Sequence, residues 1–520
     1  MLMSDPEYRE SLRRLKPRVF VDGRSVLSVS DDAALQPGVN AVGLSYAFAL
    51  REDTAALLRV AGAAGSDAAV SAHNRMLHVP RSEDELLQKL EAIRLICRYT
   101  GCAQRYLAGD AMAGILQAAA EIDAEHGTEY LARARSHDGH IRRADLAIGI
   151  AMTDAKGDRS KRPHAQTIRD AHVHIVERRA EGIIISGTKA IVTGAPYMHE
   201  LLVMPGRAMT AADADFAVCC AVPVDAEGLT MVARPAGRPG EAAAPFSNRF
   251  GQSTAVCLFE RVFVPWERVF LAGEWRHSAT LTYAYATHHR HSCIAARAGF
   301  GDLLIGSGTL MTEANGLDAE RADGLRDAMT DLIRIVEGFY ACGVAASVYA
   351  TREAAGIAMP EAVFSNIGKL LLSTQIYDMQ RLAHEVSGGL IVALPGPNED
   401  HNPATAGRIS EVLTGRCDIP YEKRVAVARF IEDLTASSQG GWYSVISLHG
   451  GGSPEAMKKE IFRRYPIADR VELVENLLDR GMLADARRHI ALRRQPGRCC
   501  AEGCRPDRDS ERLESPIRSG

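Results

Sequence analysis

The sequence predicts an α+β fold made of an N-terminal helical domain, a middle β domain and a C-terminal helical bundle. Three observations support this: helix-capping signals near the start, short apolar runs in the middle, and long Ala-, Leu-, Glu- and Arg-rich stretches towards the end of the 520-residue chain. A chain of this length exceeds what one hydrophobic core usually organises. We expect the domains to span residues 1–143, 144–277 and 278–493, followed by a disordered tail at 494–520.

Helix signals dominate the N-terminal region. Ser4, Asp5 and Pro6 form a helix start, because a capping side chain precedes a proline that suits the first turn. Residues 82–85 (SEDE) form a capping box, and apolar residues then recur at helical spacing as far as Gly101. The first 140 or so residues are therefore expected to be mainly helical.

The middle region carries five apolar runs bounded by turn residues, which is the pattern of buried strands. They are LAIGIAMTD (146–154), GIIISGTKAIVTGA (182–195), HELLVMPG (199–206), DFAVCCAVPV (215–224) and STAVCLFERVFVP (253–265). Beyond about residue 278 helical periodicity returns, as in a bundle, in 301–355, 361–385, 422–438 and 469–492.

Composition argues against several classes of protein. Lys and Arg (61) nearly balance Asp and Glu (65), and no basic run is interleaved with aromatic residues, so no nucleic-acid groove is expected. No apolar run approaches the ~20 residues that span a bilayer, and the N-terminus lacks the apolar core of a signal peptide, so no membrane partner is expected. We expect a cytoplasmic protein that binds a small molecule. The eleven cysteines show no regular framework and should be mostly core residues.

Two glycine-containing turns could bind an anion. In TDAKGDRSKRP (153–163), Lys156, Arg159 and the amides around Gly157 are groups that hold a diphosphate, although a plain polar turn explains the stretch equally well. In LHGGGSPEAM (448–457), three glycines precede a helix start, where the backbone can approach an anion; a flexible loop is the alternative.

Two further stretches carry candidate reactive groups. In THHRHS (287–292), His288 and His291 could ligate a metal, but we favour a polar pocket that binds anions or transfers protons. In TGCAQRYLAGDAM (100–112), Cys102 and Tyr106 are four residues apart, so on a helix they would face the same way.

Together these motifs resemble the flavoprotein family of 4-hydroxyphenylacetate 3-monooxygenase and 4-hydroxybutyryl-CoA dehydratase. The most specific are MTDAKGDR (152–159), EGIIISGTKAIVTGA (181–195), RLAHEVSGGLIVALP (381–395) and LHGGGSP (448–454). The resemblance implies an acyl-CoA dehydrogenase-like fold, assembled as a homotetramer or homodimer, with FAD between the β domain and the bundle. The positions that would contact FAD are Met152, Lys156, Gly157, Asp158, Arg159, Thr193, Gly450, Gly451, Gly452 and Ser453.

The dehydratase of this family builds an iron–sulfur cluster from three cysteines and one histidine. Cys102 and His289 match two of these ligands, whereas Tyr106 and Ala296 stand at the other two positions. Charged groups of the dehydratase are also replaced by other residues, at Thr254, Ile446 and Arg297. The resemblance therefore implies that no iron–sulfur cluster is bound and that the dehydratase chemistry is lost.

This sequence matches the monooxygenase branch at one substrate-contacting position and differs from it at two. Tyr106 corresponds to a tyrosine that contacts the phenolic substrate of that branch. Cys102 and Ile150 replace an arginine and a histidine of the branch, so a phenolic substrate does not follow from the resemblance.

We predict an FAD-dependent oxidoreductase, a two-component monooxygenase that takes reduced FAD as a cosubstrate from a separate flavin reductase. No GxGxxG fingerprint follows a strand, so an internal NAD(P)H site is not expected. Tyr106, His289 and Arg290 are the candidates for substrate contact and proton transfer. The alternative is a redox-neutral dehydratase or double-bond isomerase acting on a CoA thioester, with His289 as the base. A non-enzymatic flavin-binding scaffold is a third hypothesis, but it would leave the polar groups of 287–292 without a purpose.

Overall fold

The computed structural model describes residues 2–62, 72–102, 104–318 and 320–478. Residues up to Tyr465 form one compact unit, and a second unit begins at Pro466. The helix expected at 469–492 is present from Ile467 to Leu478, whereas its remainder and the tail at 494–520 lie outside the described residues. The three-domain division stays a prediction.

Helices fill the N-terminal region and the part of the chain after residue 278. They are α1 Asp5–Arg14, α2 Gln36–Leu50, α3 Glu52–Leu58, α4 Glu83–Thr100, α5 Leu107–His126, α6 Tyr130–Arg143, α7 Ser278–Ala314, α8 Asp323–Val348, α9 Ala362–Ser387, α10 Ala406–Leu413, α11 Tyr421–Thr435, α12 Ser438–His449, α13 Pro454–Arg464 and α14 Ile467–Leu478. Ser4 caps α1, as the sequence predicts, and Glu7 completes a capping box with it. At α4 only half of the predicted box forms, because the Glu85 carboxylate turns to the His78 ring (2.9 Å) and the Arg81 amide (2.6 Å).

The strands are β1 Arg18–Val21, β2 Arg24–Ser25, β3 Arg59–Ala61, β4 Ala72–Asn74, β5 Ile148–Ala151, β6 His174–Arg178, β7 Gly182–Thr193, β8 Glu200–Val203, β9 Val218–Pro223, β10 Leu229–Ala233, β11 Thr254–Pro265, β12 Val269–Ala272, β13 Thr351–Arg352 and β14 Ala358–Met359. All five predicted strands are present, as β5, β7, β8, β9 and β11. Two sheets form the middle region, in the orders β2-β1-β10-β11-β7-β6 and β12-β9-β8-β5.

The N-terminal region is mainly helical, as expected, but β1 pairs in parallel with β10 and so joins the larger sheet. One detail of the prediction is wrong. The helical run expected at 301–355 is two helices, since α7 ends at Ala314 and the turn before α8 includes Gly316 with a φ of +74°. Short strands such as β1 and β10, of four and five residues, are too brief for periodicity to reveal.

Helix α7 runs through the centre of the first unit. Its close packing on α5 requires Gly114, because a Cβ there would lie 2.9 Å from the backbone nitrogen of Tyr285. On its other faces α7 packs against α8, α9 and α11. Residues of α5, α7 and α9 can therefore meet around one point. No helix in the described part of the chain is long and apolar enough to cross a membrane.

Candidate functional site

The glycine loop, residues 450–453, lies against α7. Arg290 donates from Nε to the Gly451 carbonyl (2.8 Å) and from Nη1 to Asn366 Oδ1 on α9 (2.8 Å). Gly451 and Gly452 have φ of +79° and +107°, which favours glycine. A Cβ on Gly451 would lie 3.4 Å from His289 Cδ2. Two motifs distant in sequence, THHRHS and LHGGGSP, are therefore adjacent in the fold.

Two buried cations accompany the glycine loop. Lys369 on α9 donates to the Ser447 carbonyl (2.7 Å) and to the Ser373 hydroxyl, and Arg297 donates from Nε to Ser447 Oγ (2.8 Å). Burial lowers the pKa of Lys369 to about 7, so this ammonium loses its proton near neutral pH. Lys369 is not among the residues predicted from the sequence, because one lysine in a long helix resembles a solvated residue. The one sign of its burial in the sequence is the apolar run LLL that follows it.

Cys102 and Tyr106 meet, but the prediction that they share a helix is wrong. Helix α4 ends at Thr100, Gly101 follows with a φ of +67°, and Tyr106 ends a short 3₁₀ turn. The tyrosine hydroxyl still lies 3.6 Å from Cys102 Sγ, because the turn brings the side chains together. Arg297 Nη1 approaches the same sulfur to 3.9 Å.

The protonation states of this pair differ. A hydrogen bond with Cys97, together with the Arg297 charge, lowers the pKa of Cys102 to about 5 although burial opposes this. Burial, and then the charge on Cys102, raises the pKa of Tyr106 well above its ordinary value. At neutral pH Cys102 is therefore a thiolate and Tyr106 is a hydrogen-bond donor.

Cys293, His289 and Asp110 form a second chain of contacts. Cys293 Sγ lies 3.5 Å from His289 Nε2, and His289 Nδ1 lies 3.8 Å from Asp110 Oδ2. Asp110 Oδ1 accepts from Lys89 Nζ (2.5 Å) and Ser292 Oγ (2.8 Å), while Oδ2 has no hydrogen-bond partner among the described residues. The carboxylate partner of His289 thus comes from α5, and sequence proximity gives no sign of it.

His289 is charged at neutral pH. Burial on its own would lower its pKa, but Cys293 and Asp110 raise it to about 9. Burial on its own would raise the pKa of the Cys293 thiol. The charge of His289 outweighs it, so the net shift of this pKa is downward. The imidazolium of His289 and the Cys293 thiol therefore favour each other's charged forms, and Asp110 faces the other ring nitrogen. His289 can donate a proton as found, whereas it must first lose one to act as a base.

His288 and His291 are uncharged and buried. His291 Nε2 lies 2.7 Å from Ser347 Oγ, and neither ring nitrogen of His288 has a hydrogen-bond partner among the described residues. Burial lowers the pKa of both rings to about 3. Within the described ranges they belong to no group of three metal-ligand side chains that converge. The geometry favours the polar pocket over a metal site here.

The predicted diphosphate turn, Lys156–Arg159, is exposed and is held by local hydrogen bonds. Lys156 and Gly157 have φ of +73° and +53°, and a Cβ on Gly157 would lie 2.3 Å from Gln166 Oε1, so the turn requires glycine. Gln166 Oε1 also accepts from the Asp158 amide (2.9 Å), and Asp158 pairs with Lys161 (3.5 Å). The side chains of Lys156 and Arg159 point into solvent, available to an anion.

The turn follows β5 and lies beside β7, which ends at Thr193. The Met152 carbonyl accepts from Lys189 Nζ (2.9 Å), and the Thr153 carbonyl accepts from the Ala190 amide (2.9 Å). Thr193 faces Thr254 of β11 in the register of the sheet. Met152, the turn and Thr193 therefore lie along one strand, but FAD contact by these residues and by Gly450–Ser453 stays a prediction.

A narrow cleft with about 10 Å³ of space, enough for about one water molecule, reaches Cys102. Its walls are mainly aromatic and amide side chains: Phe246, Phe300, Tyr443, Gln252 and Gln439. Gln252 donates to the Cys102 carbonyl (2.7 Å), and the Tyr443 ring lies under the Arg297 guanidinium (4.7 Å). A water-sized group in this cleft would lie next to Cys102.

Comparison with known proteins finds relatives over nearly the whole chain. Residues 5–271 match the family described as 4-hydroxyphenylacetate 3-hydroxylase N terminal, and residues 278–479 match its C terminal. The chain is 32% identical over 490 residues to the 4-hydroxybutyryl-CoA dehydratase/vinylacetyl-CoA-Δ-isomerase of Clostridium aminobutyricum, which spans 91% of this chain and 99% of that protein. It is 24% identical over 472 residues to the 4-hydroxyphenylacetate 3-monooxygenase oxygenase component of Geobacillus sp. (strain PA-9), with coverages of 88% and 93%.

Solved structures share the fold. The oxygen-tolerant archaeal 4-hydroxybutyryl-CoA dehydratase from N. maritimus superimposes with a TM-score of 0.87 at 30% identity, covering 93% of this chain and 96% of that one. The oxygenase component of 4-hydroxyphenylacetate 3-monooxygenase complexed with FAD has a TM-score of 0.79 at 21% identity, with coverages of 92% and 99%. The predicted acyl-CoA dehydrogenase-like α+β fold is confirmed.

Proposed function

The chain belongs to the 4-hydroxyphenylacetate 3-hydroxylase family of flavin-dependent enzymes, and on this basis we propose that it is an FAD-dependent monooxygenase. It would hydroxylate a small organic substrate with reduced FAD delivered by a separate flavin reductase. Relatives that are oxygenase components, one of them solved with FAD, support this cofactor and this partner. We place the enzyme in the cytoplasm as a homotetramer or homodimer.

The residues predicted to hold FAD fit its chemistry. Lys156 and Arg159 offer two exposed cations in a glycine-containing turn, which suits a diphosphate. Gly451 and Gly452 let a ligand approach the backbone next to Arg290. When bound, reduced FAD would supply the electrons for oxygen activation, so that one atom of O₂ enters a C–H bond and the other leaves as water.

The chain's own residues would position the substrate and hold its protons. The Tyr106 hydroxyl can donate to a substrate oxygen, and the charged His289 can supply a proton from Nε2. The Arg290 guanidinium already donates hydrogen bonds to Gly451 and Asn366. We therefore propose that it positions the glycine loop and does not contact the substrate. In this proposal the aromatic side chains beside Cys102 border the substrate and exclude water.

The single observation that carries the proposal is the surroundings of Cys102. The family's iron–sulfur cluster needs a ligand side chain where Tyr106 stands, and the neighbours of the Cys102 sulfur are the Tyr106 hydroxyl (3.6 Å), the Arg297 guanidinium (3.9 Å) and the Cys97 thiol, which hydrogen-bonds to it. A phenol donor and a fixed cation favour a polar substrate or an oxygen-derived anion over a metal cluster. We therefore prefer oxygen chemistry to dehydration.

A redox-neutral double-bond isomerase acting on a CoA thioester is the second candidate. The 32% identity to the dehydratase/isomerase favours it, as does the Cys293–His289–Asp110 chain, which could move a proton between two carbons of a substrate. In that reaction Cys293, whose thiol pKa is lowered, is the candidate to take the proton, because His289 is already charged.

One experiment separates the two candidates. Protein loaded with reduced FAD is mixed with aerated buffer containing isotopically labelled O₂ and a panel of small phenols, acids and thioesters, and products are analysed by mass spectrometry. In parallel, oxidised holoprotein is incubated without oxygen with vinylacetyl-CoA. Label in an organic product above that formed by free reduced FAD supports the monooxygenase. Anaerobic conversion of vinylacetyl-CoA to its conjugated isomer, with no label incorporated in the first arm, would overturn it in favour of the isomerase.

A further inference from the structure

Two imidazoles and a carboxylate converge where α5 ends and α7 begins. Glu125 and His126 are the last residues of α5, and His277 immediately precedes α7. Glu125 Oε2 lies 3.0 Å from His277 Nε2, and Glu125 Oε1 lies 3.6 Å from His126 Nε2. The two imidazole rings meet edge to face with their centres 5.6 Å apart.

The spacing of these atoms matches a metal-ligand set. One ligand atom from each residue lies within 4.8 Å of the others, and in the described part of the chain this is the one group of three or more such side chains that does so. Two ligands at ~2.0–2.2 Å from a tetrahedral ion are ~3.3–3.6 Å apart. The separations of 3.0 and 3.6 Å lie close to that range, so small side-chain rotations would complete the geometry.

The ligand types select the ion. Two imidazoles and one carboxylate suit Zn²⁺, with water in the fourth position, whereas Mg²⁺ and Ca²⁺ prefer oxygen ligands alone. We propose that Glu125, His126 and His277 bind one Zn²⁺ ion. This site goes beyond the proposed flavin chemistry and does not depend on it.

The surroundings agree with a site of three protein ligands. The nearby Asp123 carboxylate already accepts from the Thr128 hydroxyl (2.5 Å) and the Tyr130 amide (2.8 Å), so it is committed to the turn after α5. The carbonyl end of α5 carries negative partial charge that favours a cation, and the amide end of α7 opposes it. Because these two effects oppose each other, the ligand set decides the affinity.

The ion would join the helices that carry the candidate active site. Asp110 lies on α5 and His289 on α7, and Gly114 packs directly against the α7 backbone between the two sites. His126 is ~24 Å from Asp110 along the helix axis, from a rise of ~1.5 Å per residue. The zinc site would therefore fix the crossing of α5 and α7 without touching substrate.

Zinc chloride titrated into the full chain by isothermal calorimetry tests the proposal. Cys499, Cys500 and Cys504 lie outside the described residues and thiolates bind zinc, so the parent protein carries Ser at these three positions. His126→Ala and His277→Ala are compared with His140→Ala, an exposed histidine on α6. Circular dichroism checks that each variant is folded, and the exposed position of His126 makes that variant the safer one.

We expect the parent and His140→Ala to bind one equivalent of Zn²⁺ in the presence of excess MgCl₂. Each of the two ligand variants should weaken binding by about 100-fold or more, since even outer-shell changes cost ~10–100-fold. No saturable binding by the parent, or an unchanged affinity in folded His126→Ala or His277→Ala, would overturn the three-ligand site.

Discussion

The Lys89–Asp110 ion pair should be one of the most costly polar contacts to break in this protein. Both side chains are almost completely buried, at 2% and 0% exposed, and their atoms lie 2.5 Å apart. Asp110→Asn keeps the shape of the side chain but leaves the Lys89 ammonium without its counter-charge. Removing one partner of a buried pair typically costs ~3–5 kcal/mol. The exposed pair Arg381–Glu385, at 55% and 51%, is the matched control, and Glu385→Gln should cost only ~0–1 kcal/mol.

Urea unfolding followed by circular dichroism measures the difference in the unfolding midpoints of the variants. The double variant Lys89→Met with Asp110→Leu should recover much of the lost stability, because a well-packed apolar pair can replace a buried ion pair. Burial raises the pKa of Asp110, but Lys89 and then His289 lower it further, so the net shift is downward. Its stabilisation is therefore present above the unfolded pKa of ~3.9 and is lost as pH falls through the folded value.

Equal losses of the unfolding midpoint in Asp110→Asn and Glu385→Gln would contradict a special cost of the buried charge. The difference in unfolding midpoint between wild type and Asp110→Asn should also narrow below pH ~4, where an unfolded carboxyl takes up its proton; a constant difference would contradict the ion pair. A double variant less stable than Asp110→Asn would show that packing, not charge, controls this position.

Four other outcomes are expected. Tyr106→Phe should leave FAD binding and thermal stability unchanged while slowing turnover ~10²-fold or more. Single-turnover experiments that compare the yield of product with the release of hydrogen peroxide measure this, and a wild-type rate would show that Tyr106 only packs. Arg159→Ala should raise the Kd for reduced FAD ~10-fold or more. Lys161→Ala should change this Kd little, because the Lys161 side chain already pairs with Asp158 inside the turn; equal effects in fluorescence titrations would contradict a diphosphate contact. Because the pKa of His289 is raised to about 9, its charge is present at neutral pH and is lost as pH rises through about 9. The pH–rate profile should therefore have an alkaline limb near 9 that His289→Gln removes, and a limb near ~6.5 would refute the contact with Cys293. Anaerobically purified protein should hold no stoichiometric iron, since two of the four cluster positions lack a ligand side chain; iron with matching sulfide would contradict this.

Local signals in the sequence were enough to predict the order of elements and the family. The capping residue Ser4, the apolar run of β7 and the glycine turn at Gly157 each depend on residues a few positions apart, so their patterns are visible in the sequence. The flavoprotein resemblance likewise depends on short motifs that stay contiguous in the fold. This is why the α+β class and the five predicted strands agree with the structure.

Only the tertiary structure decided which groups meet. Ser292 donates to Asp110 across 182 positions of sequence, and Arg290 reaches Gly451 across 161. No local pattern encodes such pairs, because they form where α5, α7 and the glycine loop pack together. Packing also sets the charges: burial brings the Lys369 pKa to about 7, and the contact with Cys293 keeps His289 protonated. The sequence thus determines the type of chemistry available, and the packing of distant helices determines which side chains hold the protons.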